Sequence, residues 1–170
     1  MSSSTPKAEV ASTLTAAILT VSDSSARGER ADLSGPAVCE VLERCNFQVI
    51  ATEVVADEQS AIRKALAQLA GKARLVVTTG GTGVAPRDVT PEATRAVCTR
   101  LLEGVGERMR FEGAKKTPFA ALSRGVCGVR GKSLILNLPG SPKGAVESLE
   151  SVIELLPHAL QLLAGSTSHT

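Results

Sequence analysis

A glycine-rich segment directly after an apolar run is the first place in this sequence where chemistry could occur. The apolar residues 75–77 predict a short buried strand, which runs into Gly80-Gly81-Thr82-Gly83. Glycines let the backbone turn with positive φ and leave amide groups open to a phosphate. A tight turn that binds nothing accounts for the same four residues. The segment therefore predicts either a simple turn or a phosphate-binding loop.

Arg87 and Asp88 follow this segment and favour the second interpretation. A carboxylate beside a bound phosphate is repelled unless Mg²⁺ or another positive group lies between them. The segment lacks the Lys-Ser/Thr pair of a P-loop, and no Gly-x-Gly-x-x-Gly opens a helix as in a dinucleotide-binding site. The pattern predicts a phosphate loop of another type.

A second strand-to-helix turn carries Gly140, Ser141 and Lys143 within the sequence PGSPKG. A helix N-terminus presents free N–H groups and a partial positive charge, to which Lys143 adds a full charge. Ser141 as N-cap, with Pro142 at the first helical position, explains the same residues. Both interpretations can hold together, because caps and anion sites use the same amides.

The remaining candidate carboxylates have simpler explanations. Asp57 stands at an N-cap position before an apolar helical stripe, and on spacing alone the cap is the favoured interpretation. Asp23 and Asp32 flank a polar loop, where solvated carboxylates are common. The two histidines, His158 and His169, follow no predicted strand. Catalysis by a Ser-His-Asp triad is therefore excluded.

Strand and helix patterns alternate between these loops. The predicted strands are residues 16–21, 47–55, 75–77 and 133–138. Helical stripes begin at Val38, Ala61, Ala93 and Val146. We expect the third helix to start with Thr90 as its cap and to keep Leu101 on its apolar face, and Pro157 to interrupt the fourth. Residues 104–131 predict a short helix, loops and a hairpin.

This alternation predicts an α/β fold with a mostly parallel sheet and helices on both faces. Ligands of such sheets bind outside the carboxyl ends of the strands. Three predicted strand ends carry the unusual residues, namely Ser22-Asp23, Gly80–Gly83 and Pro139–Gly144. We expect these three segments to converge on one edge of the sheet.

Composition excludes several classes of protein. Lys and Arg number 19 against 17 Asp and Glu, and the aromatic residues are three Phe with no Trp or Tyr. A nucleic-acid-binding protein would show a basic stripe or stacking aromatics, so we expect no nucleic-acid partner. The four cysteines form no Cys-x-x-Cys pair, which argues against a zinc site and fits a reducing compartment.

Length and hydropathy predict one domain. Residues 14–164 form the predicted domain, with polar tails at 1–13 and 165–170 that we expect to be disordered. No apolar stretch reaches 18 residues, and the N-terminus has no apolar run of signal-peptide length. We therefore expect no membrane association and a cytoplasmic location.

Short motifs in a fixed order join these sites into one pattern. They are residues 20–23 (TVSD), 32–35 (DLSG), 57–58 (DE), 78–83 (TTGGTG), 85–94 (APRDVTPEAT), 122–124 (LSR), 128–132 (GVRGK) and 137–143 (NLPGSPK). The pattern resembles the molybdopterin adenylyltransferase family, including the G domain of gephyrin and its counterparts in bacterial and plant molybdenum-cofactor synthesis. The resemblance covers about residues 16–164, and the string at 85–94 is far more specific than GGTG alone.

The resemblance implies an activity and an assembly. Members of this family join the terminal phosphate of molybdopterin to the α-phosphate of Mg·ATP, which gives adenylyl-molybdopterin and pyrophosphate. The family fold is a three-layer α/β sandwich that usually forms a homotrimer. Other molybdenum-cofactor enzymes are candidate partners, and Mg²⁺ with ATP is the implied cofactor.

The resemblance also assigns roles to residues. Asp57 and Asp88 match the two acidic residues implicated in catalysis: Asp88 would hold Mg²⁺, and Asp57 would organise the metal or the attacking phosphate. The binding candidates are Ser22, Asp23, Ser34, Gly80, Gly81, Thr82, Gly83, Arg87, Gly140, Ser141 and Lys143. Which loop holds the pterin and which the adenosine stays open.

Two alternatives remain beside the enzyme. A paralogue of the same fold would bind molybdopterin without adenylyltransferase activity, although both acidic residues are intact here. An interaction module is the second alternative, because the G domain of gephyrin also serves as an assembly platform. A GTP-binding protein is the weakest interpretation, since no base-specificity motif is present.

Overall fold

One mixed sheet of six strands forms the centre of the molecule, a computed structural model that describes residues 13–165. The strands are β1 (Thr15–Val21), β2 (Gln48–Val55), β3 (Leu75–Thr79), β4 (Arg100–Leu101), β5 (Cys127–Arg130) and β6 (Ser133–Leu138). Their order is β2-β1-β3-β6-β5-β4. The four strands from β2 to β6 are parallel, and β5 and β4 are antiparallel to their neighbours.

Residues 13–165 contain seven α-helices, five before β6 and two after it. They are α1 (Asp23–Ala26), α2 (Ser34–Arg44), α3 (Gln59–Ala70), α4 (Thr90–Val97), α5 (Glu103–Ala114), α6 (Pro142–Val152) and α7 (Leu156–Leu163), with 3-10 turns at Pro118–Leu122 and Ile153–Leu155. The predicted cap of α6 is confirmed, because Ser141 Oγ accepts a hydrogen bond from Gly144 N at 3.1 Å. The predicted interruption near Pro157 is the 3-10 turn between α6 and α7.

Alternate side chains of the strands pack onto two separate cores. On β1, Ile18 packs in the core that contains buried residues of α2, α6 and α7. Leu19 faces the opposite core, which contains buried residues of α3 and α4. Because both faces of the sheet are covered, the central strands β1, β3 and β6 are buried along almost their whole length. The predicted α/β fold with helices on both faces is confirmed.

One predicted helix is shorter than expected. The helix α4 ends at Val97, and Leu101 lies in β4 instead of on the apolar face of α4. The backbone turns extended at Cys98, and Thr99 N then donates to Val129 O at 2.8 Å. Pairing with β5 replaces the next helical turn.

Two predictions concern the tails of the chain and its association with membranes. The predicted tails fall outside the described residues, except for Thr13 and Gly165, so the domain limits stay predictions. None of the described helices has the length and apolarity needed to cross a membrane.

Strand order creates a crevice at the carboxyl end of the sheet. The strands β1 and β3 are neighbours, but after β1 the chain continues to β2 on one side, whereas after β3 it continues towards the other edge. Loops that leave adjacent parallel strands in opposite directions open a gap between them. This gap positions the site.

Candidate functional site

Two adjacent cavities lie at the carboxyl ends of the strands. The smaller, the switch cavity, has a volume of about 470 Å³ and opens between the ends of β1 and β3. The larger, the helix cavity, has a volume of about 810 Å³ and is lined by residues of α5 and α6. Gly81, Asp88, Gly140 and Ser141 line both. The two predicted loops therefore form the ridge that separates two ligand-sized spaces.

Two glycines shape the loop after β3. Gly80 and Gly81 have φ values of 95° and 68°, which side-chain-bearing residues rarely adopt. A Cβ on Gly80 would overlap the Val21 carbonyl, and one on Gly81 would overlap Thr90 Oγ1. Thr90 lies inside α4 and donates from Oγ1 to Gly80 O at 2.9 Å, so the expected cap holds the loop instead.

The backbone amides of this loop are available to a ligand. Among the described residues, no acceptor takes a hydrogen bond from the amides of Gly81, Thr82 or Gly83. The amides of Gly140 and Ser141 across the ridge are likewise without an acceptor in the described part of the chain. Amides left open at positive-φ turns and helix N-termini form anion sites. Both loops can therefore bind phosphate oxygens.

Asp57 is held at the ridge by a pair of reciprocal hydrogen bonds. Asp23 N donates to Asp57 Oδ2 at 2.8 Å, and Asp57 N donates to Asp23 Oδ1 at 2.9 Å. The N-cap interpretation of Asp57 is wrong, because α3 begins at Gln59 with Glu58 at the cap position. The carboxylate of Asp57 instead ties the ends of β1 and β2 together and lines the switch cavity.

Negative charge at the ridge is only partly neutralised. Arg87 donates to both oxygens of Asp23, at 2.6 and 2.9 Å, and this hydrogen bonding lowers the pKa of Asp23 to about 2. Burial, together with the negative charges of Asp23 and Asp88, raises the pKa of Asp57. Neither Asp57 nor Asp88 forms an ion pair within the described residues. Their carboxylates therefore suit a cation.

The chemistry of the donor set fits Mg²⁺ in particular. Among residues 13–165 there is no group of three or more His, Cys, Asp or Glu side chains that could enclose a metal. Mg²⁺ usually binds through one or two carboxylates and completes its shell with water and substrate phosphates. Asp57 and Asp88 beside the open amides provide this kind of partial site.

A short turn holds the carboxylate of Asp88. Ala85 N donates to Asp88 Oδ2 at 3.0 Å, and Asp88 N donates to Ala85 O at 2.9 Å. A Cβ on Gly83 would lie 2.8 Å from Asp88 Oδ2, so the third glycine of the loop leaves room for this carboxylate. The turn therefore directs the carboxylate of Asp88 towards the glycine-rich segment.

A hydroxyl network below the switch cavity was not expected from the sequence. Thr20 Oγ1 donates to Asp32 Oδ2 at 2.7 Å, and Ser34 Oγ contacts Thr79 Oγ1 at 2.8 Å and Asp32 Oδ1 at 3.2 Å. Gly35 N also donates to Asp32 Oδ1 at 3.0 Å, so Asp32 holds the start of α2. The only hint in the sequence was the motif DLSG.

The structure brings most of the predicted residues to the cavities. Ser22, Ser34, Asp57, Asp88, Gly80–Gly83 and Gly140-Ser141 line one cavity or both. Asp23, Arg87 and Lys143 line neither: Arg87 neutralises Asp23, and Lys143 is exposed in the first turn of α6.

The wall of the helix cavity was missed. It includes Met109, Glu112, Phe119 and Ser148. Three of these lie within residues 104–131, where the sequence showed no clear periodicity. Phe119 lines this cavity although it is 74% exposed.

Comparison with known proteins gives consistent matches. Residues 17–158 match the family described as "Probable molybdopterin binding domain". Molybdopterin adenylyltransferase of Helicobacter pylori strain J99 is 46% identical over 153 residues, which cover 88% of this chain and 87% of that protein. The molybdenum cofactor synthesis protein cinnamon of Drosophila melanogaster is 41% identical over 91% of this chain, but the match spans 26% of that longer protein.

A solved structure agrees with these matches. The crystal structure of the molybdopterin biosynthesis enzyme MoaB from Thermus thermophilus superposes with a TM-score of 0.85 at 55% sequence identity. The superposition covers 90% of this chain and 98% of that one. This chain therefore shares its overall fold with that enzyme.

Proposed function

The chain belongs to the molybdopterin-binding family matched by residues 17–158, and we infer that it is a molybdopterin adenylyltransferase. The Helicobacter pylori relative is named for that activity, and its identity extends over most of both chains. The observation that carries the inference is the pair of uncompensated carboxylates, Asp57 and Asp88, beside the open amides of the glycine-rich loop. Two cavities meet there, as a reaction between two substrates requires.

We propose Mg·ATP as the adenylyl donor. An oxygen of the terminal phosphate of molybdopterin forms a bond to the α-phosphorus of ATP. The bond from that phosphorus to the oxygen leading to the β-phosphate breaks, and pyrophosphate leaves with the electron pair. Asp57 and Asp88 would hold Mg²⁺, which when bound offsets the charge on the reacting phosphates.

The protein contributes position and fixed charge to this reaction. The amides of Gly81, Thr82 and Gly83 would donate hydrogen bonds to phosphate oxygens, as would the amides of Gly140 and Ser141 across the ridge. Alignment of two phosphates and stabilisation of developing charge account for most catalysis of phosphoryl-type transfer. Ser22 and Ser34 line the switch cavity and add polar contacts.

Assembly and location complete the proposal. We propose a homotrimer in the cytoplasm that passes its product to other molybdenum-cofactor enzymes. Support comes from the family resemblance and from the four cysteines, which are free thiols. Sedimentation of the purified protein at micromolar concentration should give three times the chain mass of 17.5 kDa. Sedimentation as a 17.5 kDa species would contradict the trimer.

The activity itself is testable with purified protein. Incubation with molybdopterin, Mg²⁺ and ATP labelled in the α-phosphate should give labelled adenylyl-molybdopterin and one pyrophosphate for each product. Omission of molybdopterin is the control for ATP hydrolysis. Binding of molybdopterin without label transfer would identify the inactive paralogue instead.

A further inference from the structure

The loop between the glycine-rich segment and α4 has little packing to hold it. Residues 84–87 are exposed, and Val84 is 69% exposed. The hydrophobic core restrains this stretch only at its end, where Val89 packs against buried residues. Residues 84–88 themselves are held by polar contacts.

Arg124 makes contacts at both ends of this loop. Its backbone N donates to Thr82 O at 2.9 Å. Its guanidinium donates from Nε to Gly83 O at 2.8 Å and from Nη2 to Asp88 O at 2.7 Å. The third arm, Nη1, forms an ion pair with Glu92. One side chain therefore joins the start of the loop, its end and the first turn of α4.

These contacts need an arginine. Its planar guanidinium carries five N–H donors in a fixed fork, whereas a lysine ammonium is a single point at the end of a flexible stem. Glu92 orients the fork from inside α4, and the hydrogen bond from Arg124 lowers the pKa of Glu92. Lysine at position 124 carries all its donors on one atom, so it cannot reproduce the fork that contacts the two carbonyls and Glu92 from separate nitrogens.

We propose that Arg124 is a positioning residue that fixes the carboxylate of Asp88 for adenylyl transfer, an inference that rests on the proposed role of Asp88. Arg124 lies outside the walls of both cavities, so it acts through the loop and not on the substrates. A displacement of about 1 Å in a reacting geometry can lower a rate about 100-fold. Arg124→Lys should therefore lower kcat by about that factor and leave KM for ATP nearly unchanged.

Arg74 offers a matched control. Its guanidinium also bridges two backbone carbonyls, Lys132 O and Leu160 O, each at 2.9 Å. It precedes β3, so it lies at the opposite end of the sheet from the cavities. Arg74→Lys should remove a similar bridge, and a similar amount of stability, with no loss of kcat.

Two measurements decide the proposal. Combined with Asp88→Asn, Arg124→Lys should lower the rate no further, because the carboxylate that it positions is gone. In the protein without substrates, amide hydrogen exchange at Ala85 and Asp88 should rise at least about tenfold in Arg124→Lys and not in Arg74→Lys, as expected for a lost charged hydrogen bond.

Each contrary result has a distinct meaning. Activity of Arg124→Lys equal to that of Arg74→Lys would overturn the proposal, and so would additive effects of Arg124→Lys and Asp88→Asn. Failure of the wild type to transfer AMP would overturn the proposed function, while hydrogen exchange at Ala85 and Asp88 would still show whether Arg124 holds the loop. Glu92→Gln, which keeps Arg124, is the second variant should Arg124→Lys fail to fold, and it should give the same changes to a smaller extent.

Discussion

Asp57→Asn should lower kcat strongly without lowering stability. Burial and the charges of Asp23 and Asp88 raise the pKa of Asp57, so the charge on this side chain opposes folding. Asparagine is neutral and keeps an oxygen that can accept the hydrogen bond from Asp23 N. We expect the free energy of unfolding at pH 7, and with it the Tm, to be unchanged or higher.

The pH dependence has a definite sign. A carboxylate with a raised pKa in the folded state lowers stability only when it is charged. The difference in Tm between Asp57→Asn and the wild type should be near zero below the unfolded pKa of aspartate, about 3.9. It should become positive as pH rises through the higher folded pKa. Thermal melts at one fixed protein concentration measure this difference, since assembly makes Tm concentration-dependent.

The adenylyl-transfer rate provides the second half of the test. Loss of a charge that stabilises the transition state should lower kcat by about 100-fold to 1,000-fold. Glu58→Gln is the matched control, because this neighbouring carboxylate occupies the cap position without a capping hydrogen bond and should change neither quantity. An unchanged rate, with stability lowered by about 0.5–2 kcal/mol as for a lost N-cap, would refute the reasoning.

Three further substitutions test the loops around the cavities. Asp88→Asn should lower the rate at least about 100-fold while thermal melts stay near those of the wild type. Gly81→Ala should lower stability in denaturant titrations more than Gly28→Ala does: both glycines have positive φ, but only at Gly81 would a Cβ meet Thr90. Lys143→Ala should leave the melting temperature unchanged or slightly raised, because a cation in the first helical turn opposes the macrodipole. Isothermal titration of that variant with ATP should show a loss of less than about tenfold, and a larger loss would bring Lys143 into the site.

The sequence predicted the fold well because its signals are local. Strand β6 has the predicted bounds, and the cap at Ser141 is followed by proline at the first helical position as expected. Continuous apolar runs joined by helical stripes indicate a sheet covered on both faces, and no other arrangement buries them. The error at Leu101 also has a local origin, since three apolar residues at helical spacing cannot reveal that β5 competes for the backbone.

The location of the site could be predicted from the sequence, but the contacts between its residues could not. Residues at strand ends converge because parallel strands share a carboxyl edge, and this rule brought Ser22, Gly81 and Ser141 together. The role of Asp57 was harder to predict, because the same sequence pattern fits a helix cap and a contact with Asp23, 34 residues away along the chain. The contacts of Arg124 could not be predicted from the sequence, since they depend on where the irregular segment before β5 joins the sheet.

The wall of the helix cavity was not predicted from the sequence, for a related reason. Helix α5 buries only Gly106 and Met109, so it lacks the apolar stripe from which a helix is normally recognised. Most of α5 faces solvent or the cavity. A helix that lines a cavity and packs little against the core has little hydrophobic periodicity from which it can be predicted.

The position of β6 links this architecture to the order of synthesis. Among residues 13–165 it is the last strand in chain order, yet it lies between β3 and β5 in the middle of the sheet. Until residue 138 has left the ribosome, β3 is an open edge, although all five of its residues are buried in the finished protein. Such an apolar edge readily pairs with other chains. Nascent or truncated chains that stop before Ser133 should therefore depend on chaperones and aggregate without them, and the ridge that ends in Ser141 cannot form before β6 is in place.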